Sequence, residues 1–243
     1  MSRQGLCIGI PYCSVKATLP CAISSMIFQN SKGTRVRSNL LRTYRRSEVV
    51  IVYKTKDDFG GLSNMASGYP LRIHGIRILT SEALYQACRF PHIPDLQREI
   101  IGQHSPMTAK MKSKPHRGNS RSDWQQVRYK VMRWCLRVKL AQNYEKFGAL
   151  LLSTGEKPIV ELSRKDDYWG TKAVDDSGDV LIGQNVLGRL LMELRELLKE
   201  DLGEELKIVP ALNVPDFLFL DKPIETMIAS NSNDGEEVQP DLF

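Results

Sequence analysis

The stretch Thr80-Ser81-Glu82-Ala83-Leu84-Tyr85-Gln86-Ala87 decides how this chain of 243 residues is read. Thr80 or Ser81 makes a good helix N-cap, because a hydroxyl there accepts a hydrogen bond from a free first-turn amide. Ala83 and Ala87, then Leu84 and Cys88, recur at i, i+4 and give the helix one apolar, buried face. Glu82 falls in the first turn, where free amides and the positive end of the helix dipole surround a carboxylate. Two roles are open to it: a capping acid contributing a few tenths of a kcal/mol to ~1 kcal/mol, or a catalytic carboxylate at the mouth of a pocket.

Working outward, Leu71-Arg72-Ile73 and Ile76-Arg77-Ile78 alternate apolar and basic about His74-Gly75, which predicts a hairpin or two short strands. Glu48 to Tyr53 (EVVIVY) reads as a β-branched strand buried on both faces, and Pro158 to Leu162 (PIVEL) as a second strand. Pro91 and Pro94 are expected to end the Thr80 helix. Short helices follow over Asp95 to Gln103 and from Ser105-Pro106 to Lys112. Ser122 or Asp123 is expected to cap the longest helix, running to about Gln142. Val127, Val131, Trp134, Cys135 and Val138 form its core stripe, and Arg128, Lys130, Arg133, Arg137 and Lys139 take other faces. Asn143 to Ser153 continues as a helix stopped by Gly155, and Val186 to Lys199 carries a leucine face.

Hydrophobic residues at 42% and charged residues at 26% are ordinary for a globular protein. No apolar run approaches the roughly 18 residues of a membrane helix, so no transmembrane span is expected. The five cysteines (7, 13, 21, 88 and 135) include no CxxC and no histidine at ligand spacing, which argues against a disulfide framework and a zinc site. A reducing, cytoplasmic setting is expected. The net charge of +6 is unevenly spread. No acid precedes Glu48, whereas Arg3, Lys16, Lys32, Arg35, Arg37, Arg42, Arg45 and Arg46 do. Beyond Gly203 acids dominate. Residues 1–46 therefore read as a basic, disordered extension, 47–202 as the catalytic domain, and 203–243 as an acidic, partly disordered tail that packs Phe217-Leu218-Phe219 locally. The extension has three readings: an organelle transit peptide, a nucleic-acid-binding arm, or sequence upstream of a later start at Met26.

Polar loops follow both strands. Lys54 to Asn64 contains Gly60-Gly61, which lets backbone approach a ligand, with Ser63 and Asn64 presenting polar groups. Asp166-Asp167-Tyr168-Trp169-Gly170 joins two acids to aromatics, either for acid–base work or as an Asx-turn with its Trp turned inward. Lys110, Lys112, Lys114, His116, Arg117 and Arg121 form a basic, mobile stretch, suited to phosphate or simply solvated. Trp124 at its helix entry is placed either to staple the core or to stack on a base.

Together these pieces resemble the NADAR family. The matching words, in order over residues 50–200, are Asp58-Phe59-Gly60-Gly61-Leu62-Ser63-Asn64, Thr80-Ser81-Glu82 with Tyr85-Gln86-Ala87, and Ser105-Pro106-Met107. Asp123-Trp124, Thr154-Gly155, Asp166 to Gly170, and Gln184-Asn185-Val186-Leu187-Gly188 with Leu191-Met192 complete them. The resemblance implies a compact, single α+β domain, mostly helical with a small β-sheet. It implies cleavage of N-glycosidic bonds of ribose-containing nucleotides without cofactor or metal. By position it makes Glu82 and Asp166 catalytic. Phe59, Gly61, Ser63, Asn64, Trp124, Asp167, Trp169, Arg117 and Asn185 become substrate-binding residues.

Two substrate classes come with the family: ribosylamino-pyrimidine phosphates of riboflavin synthesis, and ADP-ribose attached to guanine in DNA. The basic loop, Leu62-Ser63-Asn64-Met65-Ala66, Ala83-Leu84-Tyr85 and Arg89-Phe90-Pro91-His92 look more like the second group. ADP-ribosylated DNA is therefore the expected partner of a monomeric enzyme, and the resemblance implies an antitoxin that counters a DNA ADP-ribosyltransferase toxin. Because the ribose is joined to an exocyclic amine, Lys56 is expected to capture C1 as a Schiff base. Direct attack by water, with Glu82 as base, is the other route. A non-catalytic reader of ADP-ribose or nucleic acid would need the aromatics and the basic loop but not Glu82.

Overall fold

The computed structural model describes residues 41–202 and 205–229. Strands β1 (Arg42–Arg45) and β2 (Val50–Val52) come first, then the hairpin β3 (Leu71–Ile73) and β4 (Ile76–Ile78). Five helices follow: α1 (Ser81–Ala87), α2 (Pro94–Ile101), α3 (Pro106–Ser113), α4 (Trp124–Gln142) and α5 (Tyr144–Leu152). Strands β5 (Ile159–Glu161), β6 (Lys172–Ala173) and β7 (Val180–Gly183) lead to α6 (Val186–Glu200). The short strands β8 (Ile208–Val209), β9 (Leu218–Phe219), β10 (Lys222–Pro223) and β11 (Met227–Ile228) end it. The architecture is α+β, with helices around several small sheets. No helix among the described residues is long and apolar enough to cross a membrane.

The β3–β4 hairpin forms at the expected residues. His74 and Gly75 both adopt positive φ (51° and 78°), the twist a two-residue hairpin turn requires. Helix α1 is capped by Thr80, whose Oγ1 accepts the Ala83 N–H at 3.3 Å. It is buried on every face, not one, because α2, α3 and α4 surround it. Ser105 caps α3 as expected, accepting from Thr108 N at 3.1 Å. Asp123 precedes α4 but makes no side-chain cap; its carboxylate pairs with Arg121 instead. Pro94 begins α2 rather than ending α1, since proline fits a first helical turn.

Strand β2 lies parallel to β5, with Val50 opposite Ile159 and Val52 opposite Glu161. Glu48 is outside the strand, in a short 3-10 turn, and Ile51 is only half-buried. Two expected boundaries move. Arg42–Arg45 belongs to the fold, because β1 pairs antiparallel with β7. The acidic segment also packs on the helices: Trp134 donates to the Pro210 carbonyl at 3.1 Å and meets the Phe217 ring edge-on at 4.8 Å. Gln97 ties the same segment down through Leu218 O at 3.2 Å and Leu220 N at 2.7 Å. The basic stretch is shorter than expected, since α3 takes Lys110 and Lys112 and a 3-10 turn takes Arg117–Asn119. Residues 1–40 of the extension and 230–243 of the tail lie outside the described residues.

Candidate active site

A cavity of about 420 Å³ opens at the carboxyl end of β5, where Glu161 and Ser163 line it. Helix α1 brings Glu82, Tyr85 and Gln86, with Arg89 just beyond. Helix α3 adds Lys110, the turn after it Arg117, and α4 the residues Trp124, Gln125, Arg128 and Met132. Asn64 and Met65 enter from the Gly-Gly loop, Asp166 and Trp169 from the loop after β5, and Leu187 from α6. Segments more than 100 residues apart thus converge on one space, and a volume of this size suits a nucleotide-sized ligand.

Glu82 is the most elaborately held of these groups. It is 3% exposed. Its Oε2 accepts from the Asn64 amide, and its Oε1 accepts from Gln86 Nε2 at 2.9 Å. Gln86 is itself fixed by Ser113 Oγ, which donates to Gln86 Oε1 at 2.7 Å. Backbone contacts lock Asn64 to the helix start, for Glu82 N–H and Ser81 Oγ both donate to the Asn64 carbonyl, at 2.9 and 3.1 Å. Burial raises the Glu82 pKa; Lys110 and the two amide donors oppose that rise and Asp166 adds to it. A capping acid would face solvent across its helix end, whereas this one faces the cavity.

The aromatic wall is continuous. Tyr85 lies 5.1 Å from the Trp124 ring and 5.6 Å from the Trp169 ring, edge-on to the latter. Burial pushes the Tyr85 hydroxyl well above its ordinary range. Cations reinforce the wall: Arg89 stands 5.3 Å from the Trp124 ring centroid and Arg128 3.7 Å from that of Tyr168. Asp166 Oδ1 accepts the Tyr168 and Trp169 N–H groups, each at 2.9 Å. It therefore shapes an Asx-turn and lines the cavity at once.

Beneath the loop that supplies Asn64 lies Lys139, 0% exposed. It donates to the carbonyls of Gly61 and Ser63 at 2.6 and 2.9 Å and sits 4.5 and 4.4 Å from the Tyr69 and Phe147 rings. Burial lowers its pKa well below the usual lysine range. Its expected place off the core stripe of α4 does not expose it: carbonyls and rings replace water around it.

Of the expected site residues, Glu82, Asp166, Asn64, Trp124, Trp169 and Arg117 meet in the cavity. Lys56 does not; it is exposed on the loop after β2 and is absent from the lining. The lysine at the cavity is Lys110. Phe59 lines a separate cavity with Asp57 and Asp58. Gly61 has a packing role, since a Cβ there would collide with the Tyr69 hydroxyl. Ser63 turns inward, its Oγ accepting from Met65 N at 3.1 Å. Asp167 is exposed and pairs with Lys172 at 3.0 Å. Asn185, buried at φ 51°, fastens β5: its Oδ1 accepts from Glu161 N at 3.0 Å and its Nδ2 donates to Ile159 O at 2.8 Å.

The sequence reading missed Glu161, Arg89, Lys110 as a single residue, Arg128, Tyr85 and Gln86 as site groups. An acid closing the otherwise apolar strand PIVEL was the available signal for Glu161. Among the described residues, no group of three or more His, Cys, Asp or Glu could hold a metal ion.

Comparison with known proteins gives the chain its relatives. The NADAR domain profile matches residues 51–199. N-glycosidase YbiA of Escherichia coli (strain K12) is 37% identical over 164 residues, covering 67% of this chain and 96% of that protein. A riboflavin biosynthesis protein of Vibrio vulnificus is 34% identical over 167 residues, 68% of this chain and 41% of that one. The NMR structure of E. coli YbiA superposes with a TM-score of 0.52 at 36% identity, covering 65% of this chain and 92% of that one. With the profile spanning more than half its length and a relative matched almost end to end, this chain belongs to the NADAR family.

Proposed function

We propose that this protein is an N-glycosidase that hydrolyses the bond between a base and a phosphorylated ribosyl group, and that its substrate is ADP-ribose joined to guanine in DNA. The observation that carries the reading is one enclosed space holding a buried, amide-bound carboxylate, a three-ring aromatic wall and four cations, Arg89, Lys110, Arg117 and Arg128. Rings stack on a base, guanidinium groups fork onto phosphate oxygens, and the carboxylate meets the carbon from which the base departs. Four cations suit a diphosphate and the flanking phosphates of a nucleic acid. A DNA ADP-ribosyltransferase would supply such a substrate.

Water is the nucleophile in this proposal, with Glu82 drawing off its proton, since Lys56 stands outside the cavity. A non-catalytic reader would have no use for a buried Glu82 held by Asn64 and Gln86. A second substrate reading, a ribosylamino-pyrimidine phosphate, is favoured by the similarity to riboflavin biosynthesis proteins. The two separate in one experiment. Purified protein is incubated with an oligonucleotide carrying ADP-ribosylated guanine and, in parallel, with a ribosylamino-pyrimidine phosphate. Glu82→Gln serves as control on both. Release of ADP-ribose by the wild type alone is the expected result. Turnover of the pyrimidine with an untouched oligonucleotide would install the second reading, and binding without turnover of either would favour the reader.

A further inference from the structure

Glu161 lines the cavity from the carboxyl end of β5, yet its Oε2 is sealed from solvent and has no hydrogen-bond partner among the described residues. The backbone beneath it is held on both sides. Its N–H donates to Asn185 Oδ1 at 3.0 Å, and its carbonyl accepts the Thr171 N–H and hydroxyl at 2.7 and 3.0 Å. A Cβ on Gly170 would come within 2.6 Å of that carbonyl, so only glycine lets the next segment close on it. The chain thus fixes this acid's mount on every side and leaves its carboxyl oxygen bare. A carboxylate oxygen sealed without a donor is costly when charged, and protonation lowers that cost.

The neighbouring charges act in the same direction. Asp166 from the following loop and Glu82 from α1 outweigh Lys110 from α3, and with burial as the largest cause they push the Glu161 pKa up to about 7. Arg128 of α4, Arg117 of the preceding turn and Tyr85 of α1 line the same space. Glu82 differs in kind, because amide donors on both its oxygens favour the anion. Burial raises both acids, but only Glu82 has donors that hold its anion, and such a difference lets one site keep a proton donor beside a proton acceptor.

We propose that Glu161 is the acid that protonates the departing base, a role that rests on the N-glycosidase reading above. The C1–N bond breaks with its electron pair going to nitrogen, and the Glu161 proton joins that nitrogen. The oxygen of water bonds to C1, and the proton released from that water passes to Glu82. Solvent then carries a proton from Glu82 back to Glu161, so the site is restored.

The test compares pH–rate profiles of wild type, Glu161→Gln and Glu82→Gln on whichever of the two substrates the wild type cleaves, with thermal denaturation confirming that each variant is folded. An analogue with an electron-poor base, able to leave without protonation, is run alongside. Wild-type kcat falls as pH rises through about 7, and Glu161→Gln loses this fall. On the ordinary substrate Glu161→Gln lowers kcat by roughly 10²-fold or more with little change in KM, and on the electron-poor analogue it recovers most of the loss. An alkaline fall that persists in Glu161→Gln, or an equal loss on both bases, overturns the acid role and leaves the glycosidase reading intact. A wild type inactive on both substrates overturns both.

Discussion

Two cavities flank the parallel β2–β5 pair, and they differ in chemistry far more than in size. The first, of about 420 Å³, lies past the carboxyl end of β5, where Glu161 and Ser163 line it. The second, of about 550 Å³, is lined by the start of β2 (Val49, Val50, Ile51) and by Lys157 just before β5. Its charged groups, Asp57, Asp58, Glu156 and Lys157, are all exposed and come from two neighbouring surface loops. In the first cavity acids and cations converge from α1, α3, α4, the turn of Arg117, the end of β5 and the loop after it, and Glu82 among them is buried. The second hollow is therefore the chemically poorer one. What separates them is enclosure, which strengthens electrostatic interactions and shifts protonation, and the polarity of the strands, since ligands of parallel sheets gather at carboxyl ends.

The sharpest way to break this comparison is to remove one charge from each cavity. Glu82→Gln should cost at least ~10³-fold in kcat, about 4 kcal/mol of transition-state stabilisation. Asp58→Asn in the second cavity should leave kcat/KM within about threefold in the same steady-state assay. Next in size is Lys139→Met, which leaves the Gly61 and Ser63 carbonyls unpaired. It should destabilise the fold by about 2 kcal/mol in urea denaturation and lower kcat as well, because the loop it anchors carries Asn64.

Glu161 sharpens the contrast through stability. Its folded pKa of about 7 lies above the ordinary carboxylate value of 4.5, so the folded state binds the extra proton between those values. Wild-type stability accordingly declines as pH rises through that window, then levels off. Glu161→Gln should be more stable than wild type at pH 8 by about 1–3 kcal/mol, with the difference vanishing near pH 4, as read by denaturation across pH. A smaller effect belongs to Arg117→Gln at the exposed rim: about a tenfold rise in KM at low salt, shrinking as salt is added. Smallest of all, Lys56→Ala should change no kinetic constant, and no lysyl adduct should be trapped by borohydride.

Those regions whose signals were local could be read from the sequence. Thr80 as cap, the α1 apolar spacing, the His74-Gly75 turn and the α6 leucines each depend on neighbours a few residues away. Glu82 could be read for the same reason, because its position in a first turn is a local fact. Glu161 left only a faint mark, an acid in an apolar strand, and its role shows once β2 is laid parallel beside PIVEL and the strand's end becomes a cavity wall. Arg128 and Lys139 share a helix with solvated cations, and only the packing of other elements turns one toward the cavity and seals the other. The same parallel pairing misled the reading of the Gly-Gly loop. It sends Asp58 and Phe59 toward the second cavity and Asn64 toward the first, so one sequence motif serves two places.

The most direct test of the account is a crystal structure of Glu82→Gln with uncleaved substrate bound. The account predicts the ribosyl C1 within hydrogen-bonding reach of residue 82 through one water. It places the base against Trp124 and Trp169, the departing nitrogen facing Glu161 and the phosphates toward Arg89, Lys110, Arg117 or Arg128. Substrate seated in the cavity of Asp57 and Phe59, or with its C1 turned away from residue 82, would contradict it.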